Sequence, residues 1–104
     1  MRKIIAFKRY YSDFMGKLST LERSKIMRAL LLLESEDKIP YHYIKYLQND
    51  IYELRVNLGN NEYRLLYIED NNTIVILNCF KKKTQKTPIK EIKKAIKLKE
   101  EYYE

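Results

Sequence analysis

The run Ile51-Tyr52-Glu53-Leu54-Arg55-Val56-Asn57-Leu58, then Gly59-Asn60-Asn61, then Tyr63-Arg64-Leu65-Leu66-Tyr67-Ile68-Glu69, then Asp70-Asn71-Asn72, then Thr73-Ile74-Val75-Ile76-Leu77-Asn78-Cys79-Phe80 decides the fold. Tyr52, Leu54, Val56 and Leu58 alternate with Ile51, Glu53, Arg55 and Asn57, the period of two that sends successive side chains to opposite faces of a strand. The two Gly/Asn/Asp clusters are turn chemistry. The last stretch is continuous in β-branched and aliphatic residues, as a central or fully covered strand would be. Three consecutive strands joined by short turns read as an antiparallel meander.

Outward from the meander the period changes. Lys3 to Phe7 alternate as a short strand, and Tyr11, Phe14, Met15 and Leu18 then recur at helical spacing. Ser19-Thr20-Leu21-Glu22 reads as a capping box that opens a second helix. Its buried stripe is Ile26, Ala29, Leu30 and Leu33, while Met27, Leu31 and Leu32 widen the apolar surface beyond one stripe. Either the first helix and the following segment cover that surplus, or it is a docking groove. Downstream, Thr87-Pro88 reads as an N-cap and first helical residue ahead of Ile89, Ile92, Ala95 and Ile96. The expected class is α+β, a small antiparallel sheet packed on helices in the order β-α-α-β-β-β-α, with residues 1–104 as a single domain.

At 104 residues with 45% hydrophobic composition, a self-supporting core is expected without staples. The lone Cys79 rules out an internal disulfide framework and a cysteine zinc cluster; with Val75 and Leu77 in alternation it reads as core. The longest uncharged apolar stretch, Ala29 to Leu33, is too short to span a bilayer, and no secretory apolar region is visible at the N-terminus. A cytoplasmic protein with no membrane partner is expected. Charge is sharply localised: residues 80–99 hold nine lysines and one acid, a balance of +8, while the other 84 residues sum to −1. Such a block attracts phosphates or an acidic partner with strong salt dependence, or is a solvated lysine-rich helix.

Register gives the sheet a candidate functional face. If Leu58 opposes Tyr63, then Arg55, Asn57 and Arg64 project together, and Tyr52, Leu54, Val56, Tyr63, Leu65 and Tyr67 form the core face. If Ile68 opposes Ile74, Asn78 and Phe80 join the arginines and Lys82 extends them past the strand end. Two arginines and a lysine then converge on one surface. In the bland alternative Arg55 pairs with Glu53 or Glu69 as an ordinary sheet charge. An arginine exposed on a sheet surface would be removable at little cost to stability.

Tyr52-Glu53-Leu54-Arg55, Tyr63-Arg64-Leu65-Leu66-Tyr67 and Phe80-Lys81-Lys82-Lys83-Thr84-Gln85-Lys86-Thr87-Pro88, with Glu91 and Ala95 downstream, resemble the HigB-like, phage-related branch of the RelE/ParE toxin superfamily. The match covers about residues 45–96, and the preceding elements fit by order. The resemblance implies the toxin of a type II toxin-antitoxin pair, an endoribonuclease that cleaves messenger RNA on the translating ribosome and is silenced by a cognate, helix-turn-helix antitoxin. It makes Arg64 the foremost phosphate-binding candidate.

Cleavage of RNA by its own 2′-hydroxyl needs a base, a proton donor for the 5′-oxygen and cations around the phosphate. No clustered His and carboxylate set resembles a metal site, so neither metal nor other cofactor is expected. Arg64 and Arg55 supply forks for phosphate oxygens, Lys82 a cation at the scissile group, and Lys81, Lys83, Lys86 and Lys45 contacts along the backbone. RelE uses a tyrosine in its C-terminal segment where this chain has Lys86-Thr87-Pro88, and the histidine and acidic residues of other HigB-like toxins are replaced by Asn78-Cys79-Phe80. His42, the one histidine, is the candidate base, and Tyr41, Tyr43 and Tyr46 could stack on bases or pack beside the sheet. Two other functions remain open: a ParE-like DNA gyrase inhibitor, and a non-enzymatic basic module that contacts nucleic-acid backbones.

Overall fold

The computed structural model describes residues 2–35, 39–83 and 86–104. Thr84 and Gln85 of the lysine-rich motif lie outside the described residues. The elements are β1 (Lys3–Ala6), α1 (Tyr10–Gly16), α2 (Thr20–Glu34), a 3-10 turn (Tyr41–Tyr43), β2 (Ile44–Gln48), β3 (Ile51–Leu58), β4 (Asn61–Asp70), β5 (Thr73–Lys82) and α3 (Ile89–Tyr102). They form one five-stranded sheet in the order β1-β5-β4-β3-β2, antiparallel except for the β1–β5 pair. The class is α+β, as the sequence implies.

One strand was not expected. Ile44 to Gln48 add an edge to β3 over a few residues, with a register shift between Tyr46 and Gln48. A strand this short, one side open, leaves little periodic signal; the Pro40-Tyr41-His42-Tyr43 segment that precedes it reads simply as loop.

Helices cover both sides of the sheet. On one side α1 and α2 bury Met15, Ile26, Ala29 and Leu33 against Leu54, Val56, Tyr63, Leu65 and Tyr67. On the other, Ala95 and Leu98 of α3 close over Ile51, Leu66, Ile68, Val75 and Leu77. The arginine-bearing face is therefore no free surface along its length, which corrects the reading of a single core face. Continuous burial on both sides explains why β4 and β5 are apolar without interruption.

The capping box of α2 is present: the Glu22 amide donates to Ser19 Oγ at 3.1 Å and the Ser19 amide to Glu22 Oε1 at 2.8 Å. Glu22 also accepts the Tyr63 hydroxyl, which ties the start of α2 to β4. At α3 the expected cap fails. Pro88 is the N-cap, with no side-chain hydrogen bond to the helix, and the Thr87 hydroxyl donates instead to Glu53 on β3.

Both register expectations shift. The β3–β4 turn is two residues long, with Gly59 at φ +62°, so Leu58 opposes Asn61 and Arg55 directly opposes Arg64. Across β4–β5, Ile68 opposes Val75; a bulge between Leu66 and Tyr67 then moves the ladder by one more residue, so that Arg64 opposes Phe80 and Glu62 opposes Lys82. The two offsets preserve parity. Asn78, Phe80 and Lys82 reach the arginine face as expected, by a different pairing.

Candidate active site

The arginine face divides at the start of α3. Beneath the helix it is apolar; beyond Ile89 it carries Glu53 and Arg55 from β3, Glu62 and Arg64 from β4, and Lys82 from β5. Cross-strand pairing fixes this cluster: Arg55 with Arg64, and Glu62 with Lys82, are Cα partners. Lys45 joins them, because its Cα partner on β3 is Glu53. Strands rather than loops hold these groups.

Arg64 differs most from expectation. Its side chain is only 3% exposed, so it is not an exposed sheet charge. Nη1 donates to the Tyr63 carbonyl at 2.9 Å and to Asn57 Oδ1 at 3.4 Å, and Nη2 to Glu62 Oε1 at 2.6 Å. A phosphate oxygen can take the Nη2 proton now bound to Glu62 by replacing that carboxylate, whose side chain is 46% exposed. Arg64→Ala would take the buried donor from the Tyr63 carbonyl and leave Glu53 with Arg55 as its one arginine, so this truncation is not the harmless change expected of an exposed sheet arginine.

Arg55 is one-third exposed and pairs through Nε with Glu53 at 3.6 Å, while Glu69 pairs with Arg2. The bland partner of Arg55 is thus real, yet it is a fully buried carboxylate that also lies 3.8 Å from Arg64 Nε. Lys82 is half-buried, and its ammonium is held below the ordinary lysine value, first by burial and then by Arg64, with Arg55 adding to the effect and Glu53 and Glu62 opposing it. A lysine so placed gives up its proton more readily than a solvated one, the property asked of a donor to a leaving oxygen.

Other candidates are placed elsewhere. Lys81 opposes Tyr63 and its ammonium sits 5.8 Å from that ring's centre, on the α1/α2 side of the sheet, so it does not share a face with Arg64. Lys83 and Lys86 are exposed around the exit from β5. His42 is exposed in the 3-10 turn, and its ring neighbours are Tyr41 and Tyr43, not the cluster. Tyr43 packs against the α1/α2-side core, Tyr46 meets Tyr52 edge-on, and Tyr41 is 90% exposed. Cys79 packs on the same core and burial pushes its thiol up, in line with a core role.

Glu62 was not marked from sequence, and three further polar residues were seen only in part, Asn78 as a position on the arginine face. Glu53 was visible only as an ordinary partner for Arg55, and Thr87 only as a cap. Asn78, 1% exposed, donates Nδ2 to the Glu91 carbonyl at 3.2 Å and to Glu91 Oε1 at 3.0 Å, pinning the first turn of α3 to β5. Among the described residues, no three His, Cys, Asp or Glu side chains converge as metal ligands, and no helix is long and apolar enough to cross a membrane.

The fold is shared with solved toxins. The isolated RelE toxin of E. coli superposes with a TM-score of 0.62 at 17% identity, covering 89% of this chain and 97% of that one. RelE in the intact E. coli RelBE toxin-antitoxin complex gives 0.61 at 17% identity, over 81% and 100% of the two chains. The archaeal RelE-RelB complex of Pyrococcus horikoshii OT3 gives 0.51 at 15% identity, over 75% and 91%. No curated protein matches in sequence. The family model for phage-derived Gp49-like proteins (DUF891) matches residues 13–100, and the chain accordingly belongs to that family, a family of RelE/ParE-like toxins.

Proposed function

We propose that this protein is the toxin of a type II toxin-antitoxin pair, on the HigB-like branch, and that it cleaves messenger RNA on the ribosome. The observation that carries the reading is the convergence of Arg55, Arg64 and Lys82 on the stretch of sheet face past the start of α3. In the proposed reaction the 2′-hydroxyl oxygen attacks the adjacent phosphorus as its proton passes to a base. The bond to the 5′-oxygen then breaks, with a proton returned to that oxygen, leaving a 2′,3′-cyclic phosphate and a 5′-hydroxyl. Arg64, freed from Glu62, and Arg55 bind the phosphate oxygens, and Lys82 donates to the leaving oxygen. Lys45, Lys83 and Lys86 track the backbone. The base is left unassigned: His42, the candidate from sequence, sits in the exposed 3-10 turn among Tyr41 and Tyr43, outside the cluster. No metal takes part.

Expression without a partner, followed by mapping of RNA ends and assay of gyrase, tests this. Cuts within translated regions are expected, with little cleavage of naked RNA, because one shallow face grips only a few nucleotides. Intact messages with gyrase-dependent DNA damage select the ParE-like reading; salt-sensitive RNA binding with neither effect selects the non-enzymatic module.

The antitoxin is proposed to cover α2. Leu21, Met27, Leu31 and Leu32 are 66%, 54%, 64% and 39% exposed, and a cavity of about 220 Å³ lies among Ile4, Tyr11, Met27, Leu30, Leu31 and Glu34. The first helix does not cover this surplus. Leu31→Asp is expected to weaken neutralisation while the toxin stays folded and active, since a buried unpaired charge costs several kcal/mol, roughly 3–5, at an interface. Unimpaired neutralisation moves the docking face elsewhere, with the lysines of α3 next.

A further inference from the structure

Glu53 is the buried centre of the cluster, and the proposed chemistry gives it no part. Its side chain is 0% exposed, so no substrate atom reaches it. One oxygen, Oε2, accepts the Thr87 hydroxyl. The other, Oε1, lies 3.6 Å from Arg55 Nε and 3.8 Å from Arg64 Nε. At that range it attracts both guanidiniums and hydrogen-bonds neither, and Oε1 and Arg64 Nε are both without a hydrogen-bond partner among the described residues. Arg55 and Arg64 are direct cross-strand partners, an arrangement in which like charges repel. A carboxylate lodged between their Nε ends lets both forks stand side by side. Its rotation is fixed by one further contact, and that contact comes from Thr87, in the segment entering α3.

We propose that Glu53 is the positioning residue of the site: it sets the spacing and tilt of the Arg55 and Arg64 guanidiniums for a single RNA phosphate, and the Thr87 hydroxyl sets Glu53. The nature of the ligand rests on the RNA-cleaving function proposed above; the arginine geometry does not. A residue that merely neutralised the arginines would keep its effect when the Thr87 hydroxyl is lost, because its charge remains. A positioning residue would not.

Thr87→Val separates these, since it is close in volume and removes only the donor. In the full-length protein, the ¹⁵N-detected Nε–H signals of Arg55 and Arg64 report guanidinium geometry, and a short 2′-O-methyl oligoribonucleotide, which cannot be cleaved, reports binding. Thr87→Val is expected to shift both signals and weaken the oligonucleotide about tenfold, the loss of roughly one charge-assisted hydrogen bond. Thr87→Ser, which keeps the hydroxyl, is expected to restore both. Thr87→Ala, which also removes the donor and leaves the Glu53 charge in place, must reproduce the shift and the loss, and serves alone if Thr87→Val folds poorly. Wild-type signals and affinity in either folded variant overturn the proposal. Shifted signals in a protein whose wild type does not bind the oligonucleotide overturn the RNA ligand and support the arginine positioning.

Discussion

One sheet face carries two regions of opposite character on the same strands. Under α3, Leu66, Ile68, Val75 and Leu77 are buried against Ala95 and Leu98. A few residues along, past the start of the helix, β4 and β5 present Arg64, Glu62 and Lys82. Both regions are tightly enclosed: Arg64 is as hidden as most of the core, with a side chain 3% exposed. The difference lies in what encloses them. The apolar half is sealed by a helix anchored at its far end, where the Tyr102 hydroxyl donates to Asp70 Oδ2 at 2.8 Å. The polar half is held by its own ion pairs and by Thr87, and its outer carboxylate, Glu62, is half exposed. A helix lid gives stability, and a carboxylate lid gives a cation site that an incoming anion can open.

The sharpest way to break this contrast uses neighbours on β4. Leu66→Ala should cost about 2–5 kcal/mol in denaturant unfolding, as a large-to-small core change does, while the folded fraction keeps its toxicity. Arg64→Ala should also destabilise, by roughly 1–3 kcal/mol as the Tyr63 carbonyl loses its buried donor, but with an activity loss of about 10²–10³-fold in the folded fraction. Loss of activity in folded Leu66→Ala would mean the halves are not separable.

A smaller effect distinguishes the site from the rest of the basic block. Lys82→Ala should lower RNA cleavage by about 10²-fold, the low end for a proton donor, with stability changed by less than about 0.5 kcal/mol. Lys97→Ala, on the exposed side of α3, should change cleavage little; equal losses would indicate diffuse electrostatics. Because the Lys82 ammonium titrates below the ordinary lysine value of 10.5, the alkaline limb of the cleavage profile should begin below that pH and vanish in Lys82→Arg.

The smallest effect comes from the opposite face. Hydrogen bonds from the Ser19 amide and the Tyr63 hydroxyl hold the Glu22 carboxyl below its ordinary 4.5. The folded state therefore takes up this proton less readily than the unfolded one, so the contribution is present above pH 4.5 and lost as pH falls through the folded value. Tyr63 mirrors it: burial, then the bond to Glu22, pushes its hydroxyl up to about 12, so its contribution is complete below 10 and lost toward 12. Melting curves across pH should show both limbs, and Glu22→Gln should flatten the acid one without changing cleavage.

Strong periodicity made most of the fold legible. The meander, α2 with its capping box and the apolar stripe of α3 all follow from local patterns, and so does the gathering of Arg55, Arg64 and Lys82 on one face, since parity survives an error of two residues. The edge strand β2 escaped because four paired positions beside a loop carry almost no pattern. Thr87 was misread because the same hydroxyl that suits a helix cap also suits a carboxylate across the sheet, and only the position of Glu53 decides between them.

The sequence by itself determined the elements, their order and which residues alternate together, because these depend on near neighbours along the chain. Tertiary structure alone decided the pairing by which Lys82 comes beside Arg64, opposite Glu62, through a one-residue bulge that no local pattern marks. It also decided that Arg64 is buried and that Glu53 lies between two arginines while bound to Thr87, 34 residues away in the chain. Burial and cross-strand distance are properties of packed surfaces, set by every element at once, and a charged residue in a strand reads alike whether a helix ends above it or beside it.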